Sequence, residues 1–145
     1  MATAGNEEEA RKLSMQLRYF EQTAENLQQR LSMLNAALTD LSYANMTLES
    51  IEQEKENAQM LVPIGGSGYI NVKLADSNKV IIGLGAGVSI EKTVPEAKEI
   101  VKQRMEELQK TQVSAQQQLG QISERISQDR GRLESLLSGI KEGPQ

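Results

Sequence analysis

From residue 13 the apolar side chains of the chain advance in alternating steps of four and three: Leu13, Leu17, Phe20, Ala24, Leu27, Leu31, Leu34, Leu38, Leu41, then Asn45 and Leu48. On a helix this alternation draws one continuous stripe, and held over about five repeats it is the heptad seam of a coiled coil. A second seam has the same stepping: Val101, Met105, Leu108, Gln112, Ala115, Leu119, Ile122, Ile126, Asp129, Leu133, Leu136, Ile140. Only Gln112 and Asp129 break it. The first helix is expected over residues 7–60, with Asn6 and Glu9 at capping-box spacing and Pro63 disfavouring helix at Val62. The second is expected from Thr93, where Thr93, Val94, Pro95 and Glu96 form a capping box with proline in the first turn. Gly143 and Pro144 are expected to stop it.

Between the seams the period changes. Residues 61–92 are rich in β-branched side chains and glycine, and four short strands are expected at 61–64, 69–74, 79–84 and 88–92. Gly65, Gly66, Ser67 and Gly68 make the first turn, Asp76, Ser77 and Asn78 the second, and Gly85, Ala86 and Gly87 the third. In the second strand Ile70, Val72 and Leu74 fall on one face and Asn71 and Lys73 on the other, so one face requires cover.

The two seams fit each other as an antiparallel pair. Leu13 would face Ile140, Leu17 Leu136, Phe20 Leu133, Leu27 Ile126 and Leu48 Met105, with Asp129 opposite the small Ala24. Two hairpins of about this length bury too little to fold alone and leave open edges, which other subunits would close. The expected fold is mainly α with a small β insert: a long antiparallel coiled-coil hairpin of two helices joined by two β-hairpins that assemble into an oligomeric β-barrel platform. Its segments are residues 1–60, 61–92 and 93–145, forming one structural unit with both termini at a distal tip. The platform residues are Ile70, Val72, Leu74, Val80, Ile82, Leu84, Val88 and Ile90.

Composition narrows the chemistry. Four aromatic residues and 38% hydrophobic content in 145 residues argue against a large globular core. With no cysteine and no histidine, thiol redox chemistry, the usual zinc sites and histidine-based triads are excluded. No segment approaches the ~20 apolar residues of a membrane span, and the start is acidic where a secretory signal is basic, so a cytoplasmic location and no membrane partner are expected. The net charge of −4 and the lack of a basic block argue against nucleic acid. Gly83 to Gly87 resembles a phosphate loop only in composition: a strand-like Val88, Ser89, Ile90 follows where a helix should begin. Gly65 to Gly68 lacks the lysine and hydroxyl of a P-loop. Glu52, Glu54 and Glu56, like Glu106 and Glu107, read as solvated helix surface beside Lys55 and Lys110. No catalytic residue, metal ligand or cofactor is expected.

Apolar residues off the seam carry more information: Met15, Tyr19, Met33, Met46 and Leu137 are expected to be exposed. Three of them gather at the tip beside Leu13, Leu17, Phe20, Leu133, Leu136 and Ile140, where Gly131 and Gly139 loosen the second helix. Methionine is flexible and polarizable, which suits a surface that accepts varied apolar partners. Asn45 is expected to fix the register of the helices.

The order long helix, two β-hairpins, long helix resembles the α-class subunits of prefoldin over essentially the whole chain. The stretch Leu61, Val62, Pro63, Ile64, Gly65, Gly66, Ser67, Gly68, Tyr69 looks like the family's first hairpin, and the size and double insert look archaeal. The resemblance implies a hexamer of two α with four β subunits on a double β-barrel. It also implies capture of unfolded client proteins at coiled-coil tips without ATP, and delivery to a group II chaperonin. Leu13, Met15, Leu17, Tyr19, Phe20, Leu133, Leu136, Leu137 and Ile140 are the client-binding candidates. The alternatives are a coiled-coil tether or adaptor with one specific partner, and an enzyme's accessory arm, which the absence of a basic face disfavours.

Overall fold

The computed structural model describes residues 2–141, in the order α1 (Ala2–Glu52), β1 (Gln59–Gly65), β2 (Gly68–Lys73), β3 (Lys79–Gly85), β4 (Val88–Thr93) and α2 (Val94–Lys141). The two long helices, with two antiparallel strand pairs between them, are the elements expected from the two periods. Gly143 and Pro144, expected to stop α2, lie outside the described residues.

The ends of α1 differ from expectation. The helix begins at Ala2, so Asn6 lies inside it and caps nothing; Ala2 and Ala4 favour helix strongly enough for it to run past the expected cap. Glu9, expected to close that cap, pairs instead with Arg132. At the other end α1 stops at Glu52, well before Pro63. The last turn tightens, with Gln53 N donating to Ser50 O at 3.2 Å and Glu54 N to Ile51 O at 3.0 Å. Asn57 then takes the left-handed conformation (φ 65°) that asparagine tolerates, and its N–H donates to Leu74 O at 2.8 Å. That bond and Leu74 N to Ala58 O at 2.9 Å join the connector to the first hairpin, so residues counted as helix from the sequence are spent on a turn and the start of β1.

The start of α2 is as expected. Thr93 Oγ1 accepts from Glu96 N at 3.3 Å and donates to Glu96 Oε1 at 2.9 Å, closing the capping box.

The described chain forms two compact units. The hairpin unit, residues 37–109, holds both strand pairs. Met60 pairs with Val72 and Val62 with Ile70 in the first; Val80 pairs with Lys92 and Ile82 with Ile90 in the second. The second hairpin repeats the first twenty residues later, strand for strand, each with a register shift just before its turn. Both turns need left-handed backbone: Gly65, Gly66 and Ser67 in one and Gly85, Ala86 and Gly87 in the other all have positive φ. The core of this unit is Leu48, Ile51, Val94, Ala97 and Val101. Met60, Leu74, Val80 and Ile82, from the roots of the two hairpins, pack against it. Arg104 Nη2 donates to Gly83 O at 2.6 Å and ties the second hairpin to α2.

The paired-helix unit comprises residues 2–36 and 110–141. Here Ala10, Leu13, Leu17, Leu27, Ala115 and Ile126 are buried, and the other described apolar seam positions are half-buried. The seams therefore meet, but in a register about half a heptad from the expected one. Ala24 rather than Leu27 shares a groove with Ile126, and Glu21 pairs with Arg130 at 2.6 Å. In the hairpin unit likewise, Asn45 lies beside Met105, Leu48 clusters with Val101, and Lys98 Nζ meets Glu52 Oε2 at 2.8 Å. Four-three stepping maps onto itself after each half heptad, so the apolar pattern fits both registers equally and the flanking charges distinguish them. Asn45 does not set the register by a bond across the pair: its Nδ2 donates to Glu49 Oε1 in the same helix at 3.4 Å. The interhelical amide bond falls between Gln112 and Asn35.

Candidate functional site

The nine residues nominated for binding divide into two kinds. Leu13 and Leu17 are buried, and Phe20, Leu133, Leu136 and Ile140 are half-buried, because all six lie on the seam. Met15 (67% exposed), Tyr19 (66%) and Leu137 (45%) lie off it and face solvent. Met33 and Met46 are exposed as expected. The exposed apolar surface thus sits directly beside a covered apolar stripe.

Charged side chains lie beside Phe20. Tyr19 and Phe20 lie with ring centroids 5.7 Å apart and planes tilted by 57°, and the Arg125 guanidinium stands 5.9 Å from the Phe20 centroid, a cation–π contact. Arg125 Nε is also 3.5 Å from Asp129 Oδ1. Asp129, expected opposite Ala24, therefore lies at the level of Phe20, as the half-heptad shift requires. It is 5% exposed, and among the described residues its Oδ2 has no hydrogen-bond partner.

The platform residues also divide. Leu74, Val80 and Ile82 are half-buried against the chain's own helices, and Val72 is half-buried. Ile70, Leu84, Val88 and Ile90 are exposed on the outer part of the same faces. A second apolar face was not expected from the sequence. Leu61 and Tyr69 on the first hairpin and Ile81 on the second alternate with those residues and are more than half exposed. Tyr43 and Val113, exposed on the helices, were not expected either. Their positions off the seam were the available signal.

Both glycine-rich stretches are hairpin turns. A groove of about 580 Å³ in the hairpin unit is lined by Glu49, Glu52, Lys98 and Lys102 among others, but it is open, and Glu52 is engaged by Lys98. The hydrogen bond to Glu52 raises the Lys98 pKa above the ordinary lysine value. Among the described residues no group of acids is placed to hold a metal ion, and no helix is long and apolar enough to cross a membrane.

Comparison with known proteins accords with this arrangement. The family model for prefoldin subunits matches residues 20–136. A prefoldin subunit alpha from Methanococcoides burtonii is 35% identical over 84% of this chain and 88% of its own length. One from Pyrococcus horikoshii is 29% identical over 86% and 85%. Among solved structures, a filamentous prefoldin from Methanocaldococcus jannaschii superposes with a TM-score of 0.66 at 22% identity, covering 79% of this chain and 95% of that one. The prefoldin beta subunit from a Thermococcus strain gives 0.60 at 16% identity, covering 94% and 95%. Two helices carrying two β-hairpins, with these relatives, define a prefoldin-type chaperone subunit. The chain belongs to the prefoldin family, in its α class.

Proposed function

We propose that this chain is the α subunit of an ATP-independent holding chaperone, assembled as two α with four β subunits, that keeps unfolded proteins from aggregating and passes them to a group II chaperonin in the cytoplasm. It catalyses no reaction and needs no cofactor in this reading. The observation that carries it is the exposure of Met15, Tyr19 and Leu137 beside the seam of the paired-helix unit. Solvent-facing apolar side chains of this kind, on both helices of one unit, serve a protein that must present apolar area without burying it in itself. Deformable Met15 and amphipathic Tyr19 suit partners of no fixed sequence. The open faces bearing Ile70, Leu84, Val88 and Ile90 support assembly through the hairpins, because two-stranded sheets with exposed apolar faces are marginal alone.

The test is co-expression with a β-class subunit, native mass spectrometry of the product, and light-scattering assays on several unrelated denatured proteins with and without ATP. A hetero-hexamer that suppresses aggregation of all of them, equally with and without nucleotide, is the expected result. Protection of a single client, or of none, would identify a specific tether instead.

A further inference from the structure

We propose that Asp129 is a built-in weak point at which the paired-helix unit opens, releasing the apolar side chains of its seam to a client; the client half of this rests on the holding-chaperone reading above. Asp129 occupies a seam position, three residues after buried Ile126 and four before half-buried Leu133, where packing calls for an apolar side chain. A buried carboxylate is tolerated when both oxygens are paired. Among the described residues Oδ2 has no partner, and Oδ1 has a loose ion pair to Arg125 Nε at 3.5 Å. The neighbouring arginines do not help: Arg130 is held by Glu21 and Arg132 by Glu9.

Opening hydrates both oxygens of Asp129, so closing the helices is less favourable at this level than at the apolar levels beside it. Gly131, two residues on, adds to the weakness, since glycine lowers helix stability relative to alanine. Apart from its chain neighbours and its own helix backbone, no atom of the described residues lies within 4 Å of where its Cβ would be, so close packing does not require glycine there. What separation would release is Leu13 and Leu17, now 6% exposed each, together with Phe20 and Leu133. Closed, the unit offers Met15, Tyr19 and Leu137; opened, it offers the seam side chains as well.

The experiment compares wild type, Asp129→Leu and Arg125→Ala as full-length chains assembled with β-class subunits. It uses hydrogen–deuterium exchange by mass spectrometry, alongside aggregation assays on one denatured client. Asp129→Leu should slow exchange of amides in residues 13–24 and 126–136 about tenfold, the change expected when a buried unpaired polar group is replaced by a packed apolar one. It should also reduce client protection several-fold. Arg125→Ala, which removes the Oδ1 partner, should speed exchange at the same amides. Unchanged or faster exchange in Asp129→Leu would overturn the proposal, and so would slowed exchange with undiminished protection. A wild-type assembly that protects no client would refute the chaperone reading itself and take the client half of the proposal with it, while the exchange comparison still reports on the weak point.

Discussion

At the scale of single residues, position relative to the seam separates what holds the chain together from what it presents. Met15, Tyr19 and Leu137 are exposed, so changing all three to serine should leave the thermal midpoint nearly unmoved, as surface substitutions shift stability within about 0.5 kcal/mol each. The same triple variant should suppress client aggregation several-fold less well, measured by light scattering; undiminished protection would remove these residues from the binding surface. Gly120 and Gly131 offer the converse. Each has open space at its Cβ position inside α2, so Gly→Ala at either should raise stability by about 1 kcal/mol in a denaturant melt. Much of this scale was legible, since a residue off a four-three seam is exposed by geometry. The isolation of Asp129 was not: the sequence marks a polar break, but which arginine reaches it depends on how Glu9 and Glu21 engage the others.

Among the elements, the start of α2, which rests on local chemistry, was legible; both ends of α1 were not, the first because the helix runs past the Asn6 cap to Ala2 and the second because it rests on competition. Thr93 and Glu96 close their capping box as the sequence predicts, and Thr93→Ala should cost about 1 kcal/mol, read from the midpoint of unfolding. The end of α1 was hidden because residues 53–58 can continue a helix. Asn57 is drawn out of it by the Leu74 carbonyl, a partner supplied by the far end of the first hairpin. The interhelical register was hidden for a different reason: apolar stepping is degenerate under a half-heptad slide, and Glu52–Lys98 and Glu21–Arg130 are what distinguish the two settings. The hairpins were recognised separately, but their repetition was masked by divergent side chains, Pro63 against Gly83 and Tyr69 against Ser89. Their faces divide the work, with the roots at Met60, Leu74, Val80 and Ile82 packed on the helices and the outer residues open. Ile70→Asp with Val72→Asp places one charge on the open part of one face and one at its half-buried middle. The variant should lose the hetero-oligomer in native mass spectrometry while keeping its helical circular dichroism; an intact assembly would place the interface elsewhere.

For the whole molecule, family membership was legible because it rests on element order, which both periods mark, and not on any one motif. Where clients bind is a separate matter, and the seam makes it testable. Removing residues 1–20 and 133–145 deletes Met15, Tyr19 and Leu137 and the seam residues beside them. Leu27, Ala115 and Ile126 remain to hold the paired helices, and the cluster of Leu48, Ile51, Val94, Ala97 and Val101 remains beneath the hairpins. The hairpins keep every strand partner. The shortened chain should therefore still assemble with β-class subunits, at some cost in thermal stability from the lost burial of Leu13 and Leu17. Client protection should fall more steeply than stability, because weak apolar contacts repeated over several subunits combine multiplicatively, and each α subunit would lose its share. Light scattering at matched assembly concentration, with native mass spectrometry on the same samples, separates the two effects. An assembly that forms and protects clients as well as the full-length one would move the binding surface away from these helix ends. The exposed hairpin face of Leu61, Tyr69 and Ile81 and the β subunits would then be the places to look.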